Sequence, residues 1–455
     1  MRTRMTRLLD RLALGATVLC PLFLVHGRGL AEACIDVVAV LFLLRSAVRR
    51  DWRWTRQAWV GIAALWWLWL VLCSIPPDLI PTSSLGQGGE KSFVQALLTV
   101  RFLLFAAGLQ GWVLRDVRHQ RWLAWLLWAS FAYIALQLLL QAVIGHNLFG
   151  MPRFHDGTLT GPYDHPRAAA PLSRLLFPTL LPACAWLIMR GRRPGGGRGR
   201  QVAVVAAAIA VLLAGLALMV LAGQRVPLLL AGLGLLVAGL ILPRLRLPLL
   251  ACLALVPVLV GISAVVSPRS FGHLVLLFRQ QMEHFGGSPY GLILGRALEI
   301  ARANPLTGRG FDGFRTGCPL PAYFHGVPPL SPAASDGGGA AFCVQHPHNH
   351  YLQALTDAGL PGLLLFCMLV LAWLLALRPG RMEGRRVVAQ SAMQHAWRTG
   401  LFVAVLLQEW PVASASAFTN MPLGGWFFLI LGLGLAAATP YMQRPASPIP
   451  VPPRG

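Results

Sequence analysis

A chain of 455 residues that is 56% hydrophobic and only 12% charged carries about half the roughly 25% charged fraction of a soluble domain. Its apolar residues come in blocks long enough to cross a bilayer core of about 30 Å, and the blocks 202–222 and 422–440 hold no charge at all. The formal charge of +23 does not mark a nucleic-acid binder, because the arginines sit in short connectors between apolar blocks and not along one face.

The N-terminus MRTRMTRLLDR precedes an apolar run in the manner of a signal peptide. Further spans follow it directly, so it is expected to remain as the first helix. Twelve transmembrane helices are expected, at about 12–27, 29–48, 57–75, 93–114, 122–144, 169–190, 202–222, 226–243, 248–266, 348–377, 390–411 and 422–440. Alternate connectors are rich in arginine: Arg45/Arg49/Arg50/Arg53/Arg56, Arg115/Arg118/Arg121, Arg190/Arg192/Arg193/Arg198/Arg200, Arg244/Arg246 and Arg378/Arg381/Arg385/Arg386. Positive charge favours the cytoplasmic side, which puts both termini inside a bacterial inner membrane. The chain then divides into helices one to nine (1–266), a large periplasmic loop (267–347), helices ten to twelve (348–440) and a Pro-rich cytoplasmic tail (441–455).

The loop of about eighty residues far exceeds ordinary connections, which points to function. It contains helix-like stretches at 270–285 and 291–305 and a Pro/Gly/Ser/Ala-rich stretch at 328–342. In the first stretch, Phe271, Leu274, Leu277, Phe278 and Met282 recur at helical spacing, as on a helix lying against a membrane or bundle surface. Cys318 and Cys343 are the two cysteines outside the spans, in a compartment that permits disulfides; a bond between them is expected. No Walker or Rossmann glycine pattern is present, which argues against an ATP-driven pump.

The densest polar signal is HPHNHYLQALTDAGLPG, 346–362, where the loop re-enters the membrane. His346, His348 and His350 would share a face only in extended chain, since residues two apart on a helix point about 200° apart. They are readable as metal ligands or as residues that cap the span and meet headgroups. Asp36 and Arg101 fall inside spans two and four, and Glu409 near the external end of span eleven; each is costly in a membrane unless paired or functional.

His348-Asn349, nine residues, Gly359, two residues and Gly362 resemble the histidine motif of the O-antigen ligase and polymerase superfamily. GRALEIARANPLTGRGFDGF (295–314) is similar to that family's loop sequence, and Gly223-Gln224-Arg225 to its arginine at the external end of a span. GPYDHPR (161–167) resembles a shorter external-loop signature, with Arg167 where asparagine is commoner. The similarity covers patches of 160–430; the first 150 residues match in hydropathy alone.

The resemblance implies an all-α, GT-C-like membrane glycosyltransferase. It would move O-antigen polysaccharide from undecaprenyl diphosphate to lipid A–core at the periplasmic face, without metal or other cofactor and without nucleic acid. His348 is then the candidate general base, with an imidazole suited to neutral pH, in a single inverting displacement. Arg225 and Arg296 are the candidate diphosphate ligands, since guanidinium holds phosphate oxygens bidentately. Asn349, as helix cap or substrate contact, with His346, Arg167 and Arg101, would support them. The external acids form no D-x-D pair that would hold a metal. Three other readings remain: an O-antigen polymerase, a protein O-oligosaccharyltransferase, and a lipid-linked glycan transporter. A transporter would place functional charges near the bilayer midplane, whereas these residues cluster at the external rim.

Overall fold

The computed structural model describes residues 2–78, 87–191, 197–326, 338–380, 389–413 and 417–439. The tail 441–455, most of the Pro/Gly-rich stretch and Arg192, Arg193, Arg381, Arg385 and Arg386 lie outside the described residues. The fold is helical, and among the described residues the extended structure is a lone bridge between His146 and Pro152. The helices run α1 Arg2–His26, α2 Arg28–Arg49, α3 Ala58–Cys73, α4 Gly89–Leu98, α5 Val100–Gly108, α6 Val117–Val143, α7 Ala169–Gly191, α8 Arg198–Leu221, α9 Arg225–Ile241 and α10 Arg246–Val266. They continue with α11 Pro268–Phe271, α12 Leu277–Glu283, α13 Pro289–Ala303, α14 Gly313–Gly317, α15 His350–Leu377, α16 Ala389–Gln408 and α17 Leu423–Ala438.

Seven helices among the described residues are long and apolar enough to cross a membrane. They are Met5–His26, Gly89–Val113, Val117–Val143, Ala169–Gly191, Arg198–Leu221, Arg246–Val266 and His350–Leu377. Three shorter apolar helices, α3, α9 and α17, accompany them. Near 29–48 and 390–411, where spans were expected, the chain forms helices α2 and α16, which are not among the seven. However, α2 carries Arg28, Glu32, Asp36, Arg45 and Arg49, more charge than a lipid-facing helix tolerates alone. Part of that charge is internally matched: Arg101 of α5 pairs with Glu32 and, at 3.2 Å, with Asp36.

The centre of the bundle is α17, buried along Gly424–Ala436. Helices approach closely where a small residue removes a side chain from the interface. A Cβ on Gly432 would lie 2.7 Å from Leu109, one on Gly234 2.3 Å from Phe177, and one on Gly400 2.5 Å from the Phe177 carbonyl oxygen. Trp373, Phe418, Phe427 and Phe428 form an aromatic cluster around α17, and Phe102 stacks on Phe428 at 5.0 Å.

The loop between α10 and α15 folds as a small body with its own apolar core of Ile293, Ala297, Ile300, Phe314, Cys318 and Tyr323. Cys318 and Cys343 form a disulfide, Cα atoms 5.8 Å apart, closing 25 residues. A clasp joins this body to α15. Arg309 N donates to Thr356 O at 2.8 Å, Gly310 N to Asp357 O at 2.9 Å and Leu360 N to Pro305 O at 2.7 Å. Gly313 N also donates to the Asp357 carboxylate at 2.8 Å. Gly359 interrupts the helix at φ 66°, ψ −166°, a region only glycine occupies readily. Pro361 follows it, and a residue before or at a proline leaves helical hydrogen bonds unmade. The loop segment 305–310 fills the vacancy: Arg309 N and Gly310 N take the Thr356 and Asp357 carbonyls that the broken helix leaves open.

Candidate functional site

α15 begins at the polar HPHNH segment. The Asn349 side chain accepts hydrogen bonds from Tyr351 N at 2.9 Å and Leu352 N at 3.0 Å, which satisfies two of the amides a helix start leaves open. His348, just before this cap, adopts φ 53°, a left-handed conformation uncommon for any residue but glycine. The turn separates the three histidines. His346 and His348 stay together, rings edge-on with centroids 4.5 Å apart. His350 enters the helix and is buried against Glu409, its Nδ1 3.0 Å from Oε2. Among the described residues no three His, Cys, Asp or Glu side chains converge as metal ligands would.

One phenol and one guanidinium lie near the outer histidine pair. The Tyr290 ring lies 6.2 Å from that of His348. Arg167 lies beside His346: burial first, then the neighbouring His348, His350 and Arg167 charges, pushes the His346 imidazole down to about 4, so it is neutral at pH 7. The turn before α9 is tied to the same place. Gly223 takes φ 69°, and the Gln224 amide donates to the Pro166 carbonyl, so Arg167 and Arg225 project from two joined segments. Arg225 Nη1 donates to Gln281 Oε1 at 2.6 Å and lies over the Phe278 ring at 5.7 Å. It is within electrostatic reach of Tyr290, the residue that also flanks His348.

Arg296 is placed differently from the sequence expectation. Only 2% exposed, it donates to the carbonyls of Cys318 and Gly339 and is sandwiched between Phe324 and Phe342 at 4.3 and 4.9 Å. Its guanidinium ties together the two ends of the disulfide-closed loop. A buried cation satisfied by carbonyls and aromatic faces has little left to offer a phosphate.

Two features escaped the sequence. The first is the buried layer under the histidines: His350 bonds Glu409, the Tyr351 hydroxyl donates to the Glu409 carbonyl at 2.6 Å, and Arg174 donates to Gln408 with one buried Nη lacking a partner among the described residues. Its only sequence signal was a glutamate at a span end. The second is a cavity of about 300 Å³ to which His346 and Arg101 both contribute; these two are 245 residues apart in sequence, and nothing local links them.

Residues 208–367 match the family model described as O-Antigen ligase. The matched segment takes in Arg225, the loop body, the clasp and the histidines. No curated protein matches the chain.

Proposed function

We propose that this chain, whose residues 208–367 form an O-antigen ligase family domain, transfers O-antigen polysaccharide from undecaprenyl diphosphate to lipid A–core at the periplasmic face of a bacterial inner membrane. In this reading it has twelve spans in a GT-C-like arrangement, α2 and α16 among them, with both termini cytoplasmic and 267–347 outside. The observation that carries the reading is a set of linked cations: Arg225 and Arg167 on joined segments, Arg167 within electrostatic reach of His346, which packs against His348. The leaving diphosphate needs charge neutralised. Fixed guanidinium groups supply it, which makes the proposed transfer metal-independent.

His348 removes the proton from an acceptor hydroxyl as that oxygen bonds to the anomeric carbon. The bond from that carbon to the diphosphate oxygen breaks with inversion, undecaprenyl diphosphate leaves, and the proton passes from imidazolium to solvent. Arg225 holds the diphosphate. Phe278 and the exposed Leu276 and Met282 near it offer an apolar surface to the polyprenyl chain, which gains about 0.8 kcal/mol per buried CH₂ and so stays with the bilayer. Arg296 acts at a distance, by fixing the loop.

The purified protein in proteoliposomes, given undecaprenyl-diphosphate-linked glycan and lipid A–core, is the test. Transfer is expected to survive EDTA and to fall about 10²–10⁴-fold in His348→Ala. Arg225→Lys is expected to rescue poorly, because lysine lacks the bidentate fork. Wild-type rates in His348→Ala would end the general-base assignment. Transfer to a lipid-linked repeat in place of lipid A–core would make the protein a polymerase. Periplasm-active reporter fusions should work at residue 310 and fail at 195.

A further inference from the structure

The cavity that His346 shares with Arg101 is not explained by diphosphate binding. It is walled by the α1–α2 corner, α4–α5, the segment 311–315, residues 345–346 and the segment 417–421. None of these elements carries Arg225, Arg167 or Tyr290. Most of its charge is paired: Arg101 with Glu32 and with Asp36, which does not line the space, and Arg315 with Asp312 at 3.7 Å; Arg28 lines it as well. Two of the three guanidinium groups that line it are set against carboxylates, which draws a phosphate less than unpaired arginines would. Between the charges stand the amides of Gln95, Gln345 and Asn420, while Phe311 adds an apolar ring.

Paired charges, amides and an aromatic ring in one cavity suit a polyhydroxylated ligand, each of whose hydroxyls both donates and accepts. At about 300 Å³ the space lies at the small end of ligand sites, which run roughly 300–1,000 Å³. It admits a short stretch of glycan. Carboxylates and guanidinium groups already paired with one another are pre-organised, so little ordering cost falls on binding.

We propose that this cavity is the acceptor-sugar subsite, binding the terminal residues of an uncharged or weakly charged oligosaccharide and presenting a hydroxyl to the His346–His348 pair. The proposal rests on the transferase reading above and deepens it. Inverting displacement requires the nucleophile to approach from the side away from the leaving group. A diphosphate held at Arg225 and an acceptor in this cavity would be held by separate elements, and His346, which lines the cavity, packs against His348. Asp312 contributes through its left-handed backbone, φ 60°, which turns the 311–315 segment so that Asp312 and Arg315 both line the space.

The test is direct binding to the full-length protein in nanodiscs, with lipid-free lipopolysaccharide core oligosaccharide and undecaprenyl diphosphate as separate probes. Arg315→Ala and Gln345→Leu alter cavity side chains that are largely solvent-exposed, so the bundle is expected to fold. Each is expected to weaken oligosaccharide binding about tenfold, the equivalent of one well-made hydrogen bond, and to leave undecaprenyl diphosphate binding unchanged; Arg225→Ala is expected to give the reverse. The proposal is overturned if the wild type does not bind the oligosaccharide, if both variants bind it as the wild type does, or if undecaprenyl diphosphate displaces it. Cavity-dependent oligosaccharide binding in a protein that transfers nothing would support the subsite while retiring the transferase reading.

Discussion

Replacing Gly359 with alanine tests the clasp on which the site depends. Its backbone, φ 66° and ψ −166°, lies where a non-glycine residue costs about 1–3 kcal/mol. An added Cβ would stand 2.4 Å from the Leu306 carbonyl carbon and oxygen and 2.7 Å from the Pro305 oxygen. Those are backbone atoms that cannot rotate away, and overpacking of this kind costs about 1–3 kcal/mol more. Together the two effects predict about 2–6 kcal/mol, a large part of a typical stability of about 5–15 kcal/mol. The hydrogen bond from Leu360 N to Pro305 O would be the first lost, and the loop body would detach from α15. The assay is thermal unfolding in detergent followed by tryptophan fluorescence, with limited proteolysis of 267–347 at a temperature where the wild type is intact. Gly61→Ala is the control, since nothing lies within 4 Å of its Cβ position and alanine favours helix by about 1 kcal/mol. A Gly359→Ala protein as stable as Gly61→Ala, with an equally protected loop, would refute the reasoning.

Cys318→Ser/Cys343→Ser opens a 25-residue loop, for which the chain-entropy relation gives about 3.5 kcal/mol; non-reducing proteolysis should show the loop cleaved first, and unchanged protection would count against it. Glu409→Ala should cost about 1–3 kcal/mol by removing the partner of the buried His350 Nδ1, while Glu409→Gln, which keeps an acceptor, should retain most stability in the same melt. His346 has a folded pKa near 4 against about 6.5 unfolded. The unfolded chain takes up that proton first, so stability is complete above about 6.5 and falls as pH drops toward 4; His346→Gln should flatten the melting temperature across this window, and an equal slope in both proteins would remove His346 as its source.

The apolar blocks determined by themselves where the helices run, because a backbone in lipid must satisfy its own hydrogen bonds. A described helix lies at each expected span, with 93–114 divided into α4 and α5 and with α2 and α16 too polar to pass as spans by composition; α14 was not expected. The start of α15 was equally legible: asparagine before an apolar run is a local cap, and Gly359 with Pro361 is a local break. The two loop cysteines, alone outside the spans, likewise needed no tertiary information to be paired.

What the sequence left open is the partner of each charge. Arg296 was expected to hold phosphate and Arg167 only to support; the fold buries Arg296 between Phe324 and Phe342 and brings Arg167 within electrostatic reach of His346. Glu409 and His350 sit 59 residues apart with no pattern joining them, and the polar cavity draws on five separate segments. Helix position follows from local hydrophobicity and capping, which a few neighbouring residues fix. The environment of a guanidinium or a carboxylate depends on which distant helices pack against it, and that is set by steric fits such as Gly234 under Phe177 and Gly359 against Leu306, which appear only when the chain is folded.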